Sequence, residues 1–134
     1  MDWTEGRALI GTGSPFEPVN VGGKKVSITQ TNNSYIFPGL ALGILASKAK
    51  RVTDTMIRSA AQELIAHLPA QIDEQERLLP PIAEARRIGR LIGKAVGKQA
   101  IEDGEALILN EADLDSGLQA NIWEPMYVPY ERRP

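Results

Sequence analysis

The sequence contains no cysteine and a single histidine, His67. The absence of cysteine excludes a disulfide framework, a thiolate metal site and a thiol nucleophile. One imidazole cannot build a histidine-rich metal site, nor a histidine-containing triad with any redundancy. No apolar run approaches the roughly eighteen residues that a bilayer-spanning helix needs. The acidic, polar opening MDWTEGR is not a signal peptide. An excess of one charge is also lacking: fifteen basic residues oppose seventeen acidic ones, for a formal net charge of −2. Binding to a phosphate backbone needs a basic excess on one face, so neither nucleic acid nor a membrane is an expected partner. A cysteine-free composition fits a reducing compartment, and the expected location is cytoplasmic. Trp3 stands close to the start, directly ahead of a strand-like run, which reads as a chain cut from something longer.

What is present suits one small domain: 134 residues, 43% of them hydrophobic, can build a core. Arg7 to Gly11, RALIG, is a short apolar run that predicts a buried strand. Gly11-Thr12-Gly13-Ser14-Pro15-Phe16 then turns the chain. Extended segments around Val19 and Val26 flank Gly22-Gly23, a dipeptide suited to the positive φ angles of a hairpin turn. Ser27, Ile28 and Thr29 continue the second segment. Beyond Pro38 the pattern becomes helical. Leu40 to Lys50 predicts one helix, with Lys48 and Lys50 near its C-terminal end, where cations complement the helix dipole. Thr53 is an N-cap candidate for a second, on which Met56, Ala60, Leu64 and Leu68 recur in steps of four with Ile57, Ala61 and Ile65 beside them. Pro69 stops it, and residues 70–79 read as a polar connecting loop. Pro80-Pro81 suits the entry to a third helix, with a core face of Ile82, Ala85, Ile88, Ile92, Ala95 and Val96 and an end at Gly104. Gly89, Gly93 and Gly97 form a row that predicts close packing against another element. A membrane dimerisation motif does not fit, because Arg86, Arg87, Arg90, Lys94 and Lys98 interrupt it. Ala106 to Leu109 is a short apolar patch, followed by a short helix after Asp113. The tail NIWEPMYVPYERRP, with a tryptophan and two tyrosines between prolines, predicts docking on a surface, its own or a partner's.

Several segments could carry chemistry. Gly11-Thr12-Gly13 after a strand evokes a dinucleotide fingerprint, but the third glycine is missing and Pro15 blocks a helix in register. It is either a tight turn or the wall of a ligand cleft at the carboxyl end of its strand. His67 reads as a solvent-facing or dipole-stabilised residue at a helix end. Glu111, Asp113 and Asp115 are close together, yet LNEADLDSG fails the calcium-loop pattern, and solvated loop acids are expected. Arg86-Arg87 and Arg132-Arg133 could grip anions, though a solvated helix face and a terminus explain them equally. The strongest candidate is Asn32-Asn33, in TQTNNSYIFPG at the mouth of the first helix. Each amide offers two N–H donors and a carbonyl acceptor, and leaving such a group buried and unpaired costs about 1–3 kcal/mol. The pair either contacts a ligand or forms an Asx-type cap on the following helix. The residues alone give an α/β piece with a polar pair at a strand-to-helix junction.

The run GRALIGTGSPFEPV, followed by TQTNNSYIFPGLALG, closely resembles the C-terminal part of malic enzymes. The similarity continues through KRVTDTMIRSAA, LLPPI and the closing WEPMY, in the family's order over nearly the whole chain. The resemblance implies an α/β fold class: the C-terminal fragment of a Rossmann-type dinucleotide-binding domain (strand plus hairpin), then three main helices and an extended tail. It implies that residues 1–33 finish the NAD(P)-binding domain, that the helices of 34–105 return to a substrate- and metal-binding domain, and that 106–134 form a C-terminal tail near subunit contacts. It further implies oxidative decarboxylation of L-malate to pyruvate and CO2 with NAD or NADP and Mg2+ or Mn2+, in a homo-oligomer, a dimer or tetramer. Asn32 and Asn33 match the family's substrate-contacting asparagines. Gly11, Thr12, Gly13, Ser14 and Asn32 are the expected cofactor contacts. The family's Tyr and Lys acid–base pair, its acidic metal ligands and its glycine fingerprint lie upstream of this sequence. Tyr35, Tyr127 and Tyr130 do not stand in the matching context, so the chain alone is expected not to turn over malate. Two other readings stay open: malolactic enzyme, which converts malate to lactate and CO2, and a non-catalytic interaction module.

Overall fold

The computed structural model describes residues 2–5, 7–68, 78–124 and 126–131. Among these, four α-helices form the body: α1 (Phe37–Ser47), α2 (Asp54–Ala66), α3 (Ala85–Glu102) and α4 (Glu111–Asn121). Their assembly is dictated by glycine. Gly39 and Gly43, one turn apart on α1, face Gly89 and Gly93 on α3. A Cβ at Gly39 would lie 2.7 Å from the Gly89 carbonyl oxygen, and one at Gly43 2.6 Å from that of Gly93. Gly97, the third member of the α3 row, instead receives Leu114 of α4, into which its Cβ would collide. Gly117 of α4 lies on the Ala46 backbone of α1, where a Cβ would sit 2.7 Å from the carbonyl oxygen. Each glycine weakens its own helix by up to about 1 kcal/mol relative to alanine. The close approach it permits restores dispersion contacts along the whole seam.

On the other side of α3, α2 packs through Met56 and Ala60, both fully buried with Ile88, Ile92, Val96 and Ala100. A smaller cluster of Ala46, Leu114 and Leu118 joins α1 to α4. The four-residue stripe on α2 is therefore real but narrow. Ile57 is 49% exposed and Ile65 61%, because α2 packs chiefly on α3, with a lesser contact to α1, and buries only the stripe facing them. Ile82 is also exposed, since it lies in a 3-10 turn (Ile82–Glu84) that precedes α3 rather than on the helix itself.

Helix ends follow their caps. Thr53 Oγ1 accepts a hydrogen bond from the Met56 amide (3.1 Å), as expected of an N-cap. α1 starts at Phe37 with Pro38 in its first turn and ends at Ser47. Lys48 closes it in the left-handed region (φ 52°), so Lys48 and Lys50 lie past the last turn rather than within it. α4 begins before Asp113 because Asn110 is the cap: its Oδ1 accepts from the Asp113 amide at 2.9 Å. Gly104, at φ 72°, follows the end of α3.

The strands are short. β2 (Val19–Val21) and β3 (Lys24–Val26) make the expected antiparallel hairpin, with Gly22 at φ 57° and Gly23 at φ 82°. β1 (Gly11–Thr12) and β4 (Thr29–Gln30) pair in parallel, Gly11 opposite Thr29 and Thr12 opposite Gln30. Two expectations change here. RALIG is not a buried strand: the ladder begins only at Gly11, and Leu9 is 46% exposed. Among the described residues only β4 lies beside this segment, which is too little to bury it. Thr29 does not prolong β3 either. Strand pairing lapses at Ser27-Ile28, and Thr29 joins the other sheet, its amide donating to the Ile10 carbonyl (3.0 Å). Two hydrogen bonds fasten the segment ahead of α3: the Leu78 amide donates to Thr29 Oγ1 of β4 (2.9 Å), and the buried Tyr35 hydroxyl, in the 3-10 turn before α1, donates to the Pro80 carbonyl. The expected stop at Pro69, most of the 70–79 loop, and Arg132-Arg133 lie outside the described residues.

Among the described residues, the large side chains of the tail are not buried against the chain. Trp123, Met126, Tyr127, Val128 and Tyr130 are all at least 70% exposed. Among its described residues the fastening is at the start: Arg86 donates to the Trp123 carbonyl (3.2 Å), and Arg86 and Arg90 both pair with Glu124.

Candidate functional site

Because β1 and β4 run in parallel, their carboxyl ends open at one edge of the sheet. Gly13-Ser14 leave the first strand there, and Thr31-Asn32-Asn33 leave the second. The Thr31 amide donates to the Thr12 carbonyl (2.7 Å), carrying the pairing one step beyond the strands. Gly11 is required by this proximity: a Cβ on it would fall 2.6 Å from Thr31 Cγ2. Past the strands the two loops are joined by side chains. Gln30 Nε2 and Asn32 Nδ2 both donate to the Gly13 carbonyl oxygen, at 3.4 and 3.5 Å. Thr12 Oγ1 donates to the Ser14 carbonyl at 2.8 Å, folding the first loop onto itself.

The two asparagines separate in role. Asn32 is half-buried and caps the 3-10 turn Asn33–Tyr35, its Oδ1 accepting from the Ser34 amide at 2.9 Å. The Asx-type cap weighed from the sequence is thus formed, by Asn32 and on a 3-10 turn rather than on α1. The Asn33 side chain is exposed and makes no hydrogen bond to a described residue. The carboxyl edge therefore presents one carboxamide held by the protein and one without a partner among the described residues, beside a loop whose Gly13 has no neighbour within 4 Å of where a Cβ would be. Gln30 was not singled out in the sequence. Its signal was the alternation Gln30-x-Asn32, which places both amides on one side of an extended segment.

The remaining candidates are occupied by structure. Tyr35 is buried, and burial raises its phenol pKa, so the hydroxyl stays protonated on the Pro80 carbonyl. Tyr127 and Tyr130 are fully exposed. His67, at the end of α2, lies 3.0 Å from Glu63 one turn back. Arg87 pairs with Glu84 at 2.7 Å, and Arg86 with Glu124. Glu111 and Asp115 stand on α4 facing Lys98 and Lys94 of α3, at 3.0 and 2.8 Å. The Lys94 pKa is raised, chiefly by its hydrogen bond to Asp115. These are helix-to-helix ion pairs. Among the described residues no group of three or more His, Cys, Asp or Glu is placed to hold a metal ion. Nor is any helix among them long and apolar enough to cross a membrane.

An α/β chain with two polar loops at the carboxyl edge of parallel strands has the arrangement in which open sheets of this class take nucleotides. The model of the family "Malic enzyme, NAD binding domain" matches residues 1–101, and the chain belongs to that family. It is 42% identical over 132 residues to the NAD-dependent malic enzyme of Pseudomonas aeruginosa, covering 98% of this chain and 23% of the relative. It is 46% identical over 134 residues to that of Acinetobacter baylyi, covering 100% and 24%. The corresponding figures for that of Vibrio campbellii are 45% over 130 residues, 97% and 23%. The chain thus spans about a quarter of the length of the curated relatives it matches.

Proposed function

We propose that the chain is the C-terminal part of an enzyme that oxidatively decarboxylates L-malate to pyruvate and CO2 with reduction of NAD. The observation that carries this reading is the 46% identity, along its full length, to a protein named NAD-dependent malic enzyme. The same relatives favour NAD over NADP, and the oxidative reaction over the malolactic one. In this reading residues 1–33 finish the cofactor domain, 34–105 return to the substrate domain, and 106–134 form a tail toward a second copy in a cytoplasmic dimer or tetramer. The exposed Trp123, Tyr127 and Tyr130 support the last part.

When bound, NAD supplies the acceptor for the hydride that leaves malate C2. This chain supplies position. Gly11 to Ser14 and Asn32 wall the cofactor's end of the cleft at the carboxyl edge of β1 and β4. The free Asn33 amide donates to a malate carboxylate. A neutral donor suits that task, because it orients an anion without adding a competing base. For Mg2+ or Mn2+ the described residues do not fit, since no three of their acidic or histidine side chains come together. The metal that the resemblance implies would be held by residues outside this chain. With about a quarter of its relatives' length, the chain by itself is expected to be inactive.

The test is turnover by the full-length protein carrying this sequence, supplied with malate, NAD and Mn2+. Stoichiometric NADH and pyruvate are expected. Lactate without net NADH would replace this reading with the malolactic one.

A further inference from the structure

Three features of the carboxyl edge converge on the peptide after Gly13. Its carbonyl oxygen is approached by two side-chain amides, Gln30 Nε2 at 3.4 Å and Asn32 Nδ2 at 3.5 Å. Asn32 is itself fixed from its other end, by the 2.9 Å bond between its Oδ1 and the Ser34 amide. On the remaining side Gly13 faces open space: a Cβ there would meet nothing within 4 Å, and its φ lies outside the left-handed region. Neither packing nor backbone conformation within this chain therefore demands glycine at this position. Gly11, two residues earlier, is the contrast, because its hydrogen is needed against Thr31.

From this juxtaposition we infer that Gln30 and Asn32 are positioning residues. Together they clamp the Gly13 carbonyl so that the bare face of the Gly13-Ser14 backbone is presented to the cofactor, and the malate contact is left to Asn33 alone. The inference rests on the function proposed above and deepens it. It assigns Gln30 a role, and it moves Asn32 from ligand contact to scaffold. The physical logic is that a loop of glycine and serine is floppy. A cofactor that must order such a loop loses affinity to conformational entropy. Holding its carbonyl in advance removes that cost. Both donor distances, 3.4 and 3.5 Å, exceed the roughly 2.7–3.2 Å usual for an N–H···O bond. Contacts at a site of this kind commonly tighten when the ligand arrives. The clamp also leaves the Gly13-Ser14 peptide N–H free, since the carbonyl is what it engages.

The test is made in the full-length protein, with NAD binding followed by fluorescence titration and malate kinetics measured in parallel. Gln30→Met keeps the length of the side chain and removes the donor. It should raise the Kd for NAD about fivefold, the loss of one modest hydrogen bond, with the KM for malate unchanged at saturating NAD. Gln30→Glu should weaken NAD binding further by placing a carboxylate against the carbonyl. Gly13→Ala, which meets no neighbour, should leave the unfolding midpoint unchanged and weaken NAD binding by covering the bare face. An unaltered Kd for NAD in both Gln30→Met and Gly13→Ala, in a protein that turns over malate normally, would overturn the clamp. Absence of NAD binding or malate turnover in the unaltered full-length protein would instead remove the function proposed above.

Discussion

Gly43 of α1 and Gly93 of α3 meet backbone to backbone, so closely that a Cβ on the first would lie 2.6 Å from the carbonyl oxygen of the second. A helix backbone cannot retreat from that contact without carrying its neighbours along. Gly43→Ala is therefore expected to destabilise the fold by about 1–3 kcal/mol, the range for overpacked cores. Gly13→Ala, in open space, should cost nothing measurable. Urea denaturation of the two variants side by side checks the contrast.

This seam also shows what was legible in the sequence. The row of Gly89, Gly93 and Gly97 was visible, and it does mark close packing. The matching pair Gly39 and Gly43 was hidden inside a Leu- and Ala-rich run that looked like an ordinary buried helix. Only the tertiary pairing reveals that glycine faces glycine. Thr53 as a cap, the hairpin at Gly22-Gly23 and the proline entry to α3 were readable because each is a local rule satisfied by its immediate neighbours. The strand at RALIG and the burial of Ile57, Ile65 and Ile82 were misread for the opposite reason. An apolar residue is buried only if another element arrives to cover it, and periodicity does not say which elements do. At the site, the asparagine pair was visible as a pair. Its division into a cap and a free amide was not, because that depends on which side chain reaches the Ser34 amide.

Asp103, just beyond α3, accepts hydrogen bonds from Thr53, Thr55 and Gln99, fastening the end of α3 to the start of α2. These bonds hold its carboxyl pKa below the ordinary aspartate value, Thr53 contributing most. A depressed folded-state pKa stabilises above the unfolded pKa, and the contribution is lost as pH falls through the folded one. Asp103→Asn should therefore be less stable than the unaltered protein at neutral pH. The gap should close as pH drops below about 4, where the unfolded aspartate begins to protonate. Thermal unfolding of both proteins across a pH series would reveal it, and a pH-independent gap would assign the effect to shape alone.

Asn32→Ala removes the cap on the Asn33–Tyr35 turn and is expected to cost about 1 kcal/mol of stability, as such caps do. Asn33→Ala removes an exposed side chain with no partner among the described residues and should leave stability unchanged. Denaturant midpoints of the two variants separate the roles that their adjacency conceals.

Trp123 projects from the tail while its carbonyl is held by Arg86. If the tail serves assembly, Trp123→Ala should shift the full-length protein toward smaller species in analytical ultracentrifugation, with helical content and unfolding midpoint of the dissociated chain preserved.

The proposed function leaves the grip on malate to the Asn33 amide, which has no partner among the described residues and follows the carboxyl end of β4. Its most direct test is kcat/KM for malate in full-length Asn33→Ala at saturating NAD and Mn2+. A fall equivalent to about 2–4 kcal/mol of transition-state binding is expected, comparable to loss of a preorganised oxyanion donor, in a protein as stable as the unaltered one. A value of kcat/KM within twofold of the unaltered enzyme would contradict it.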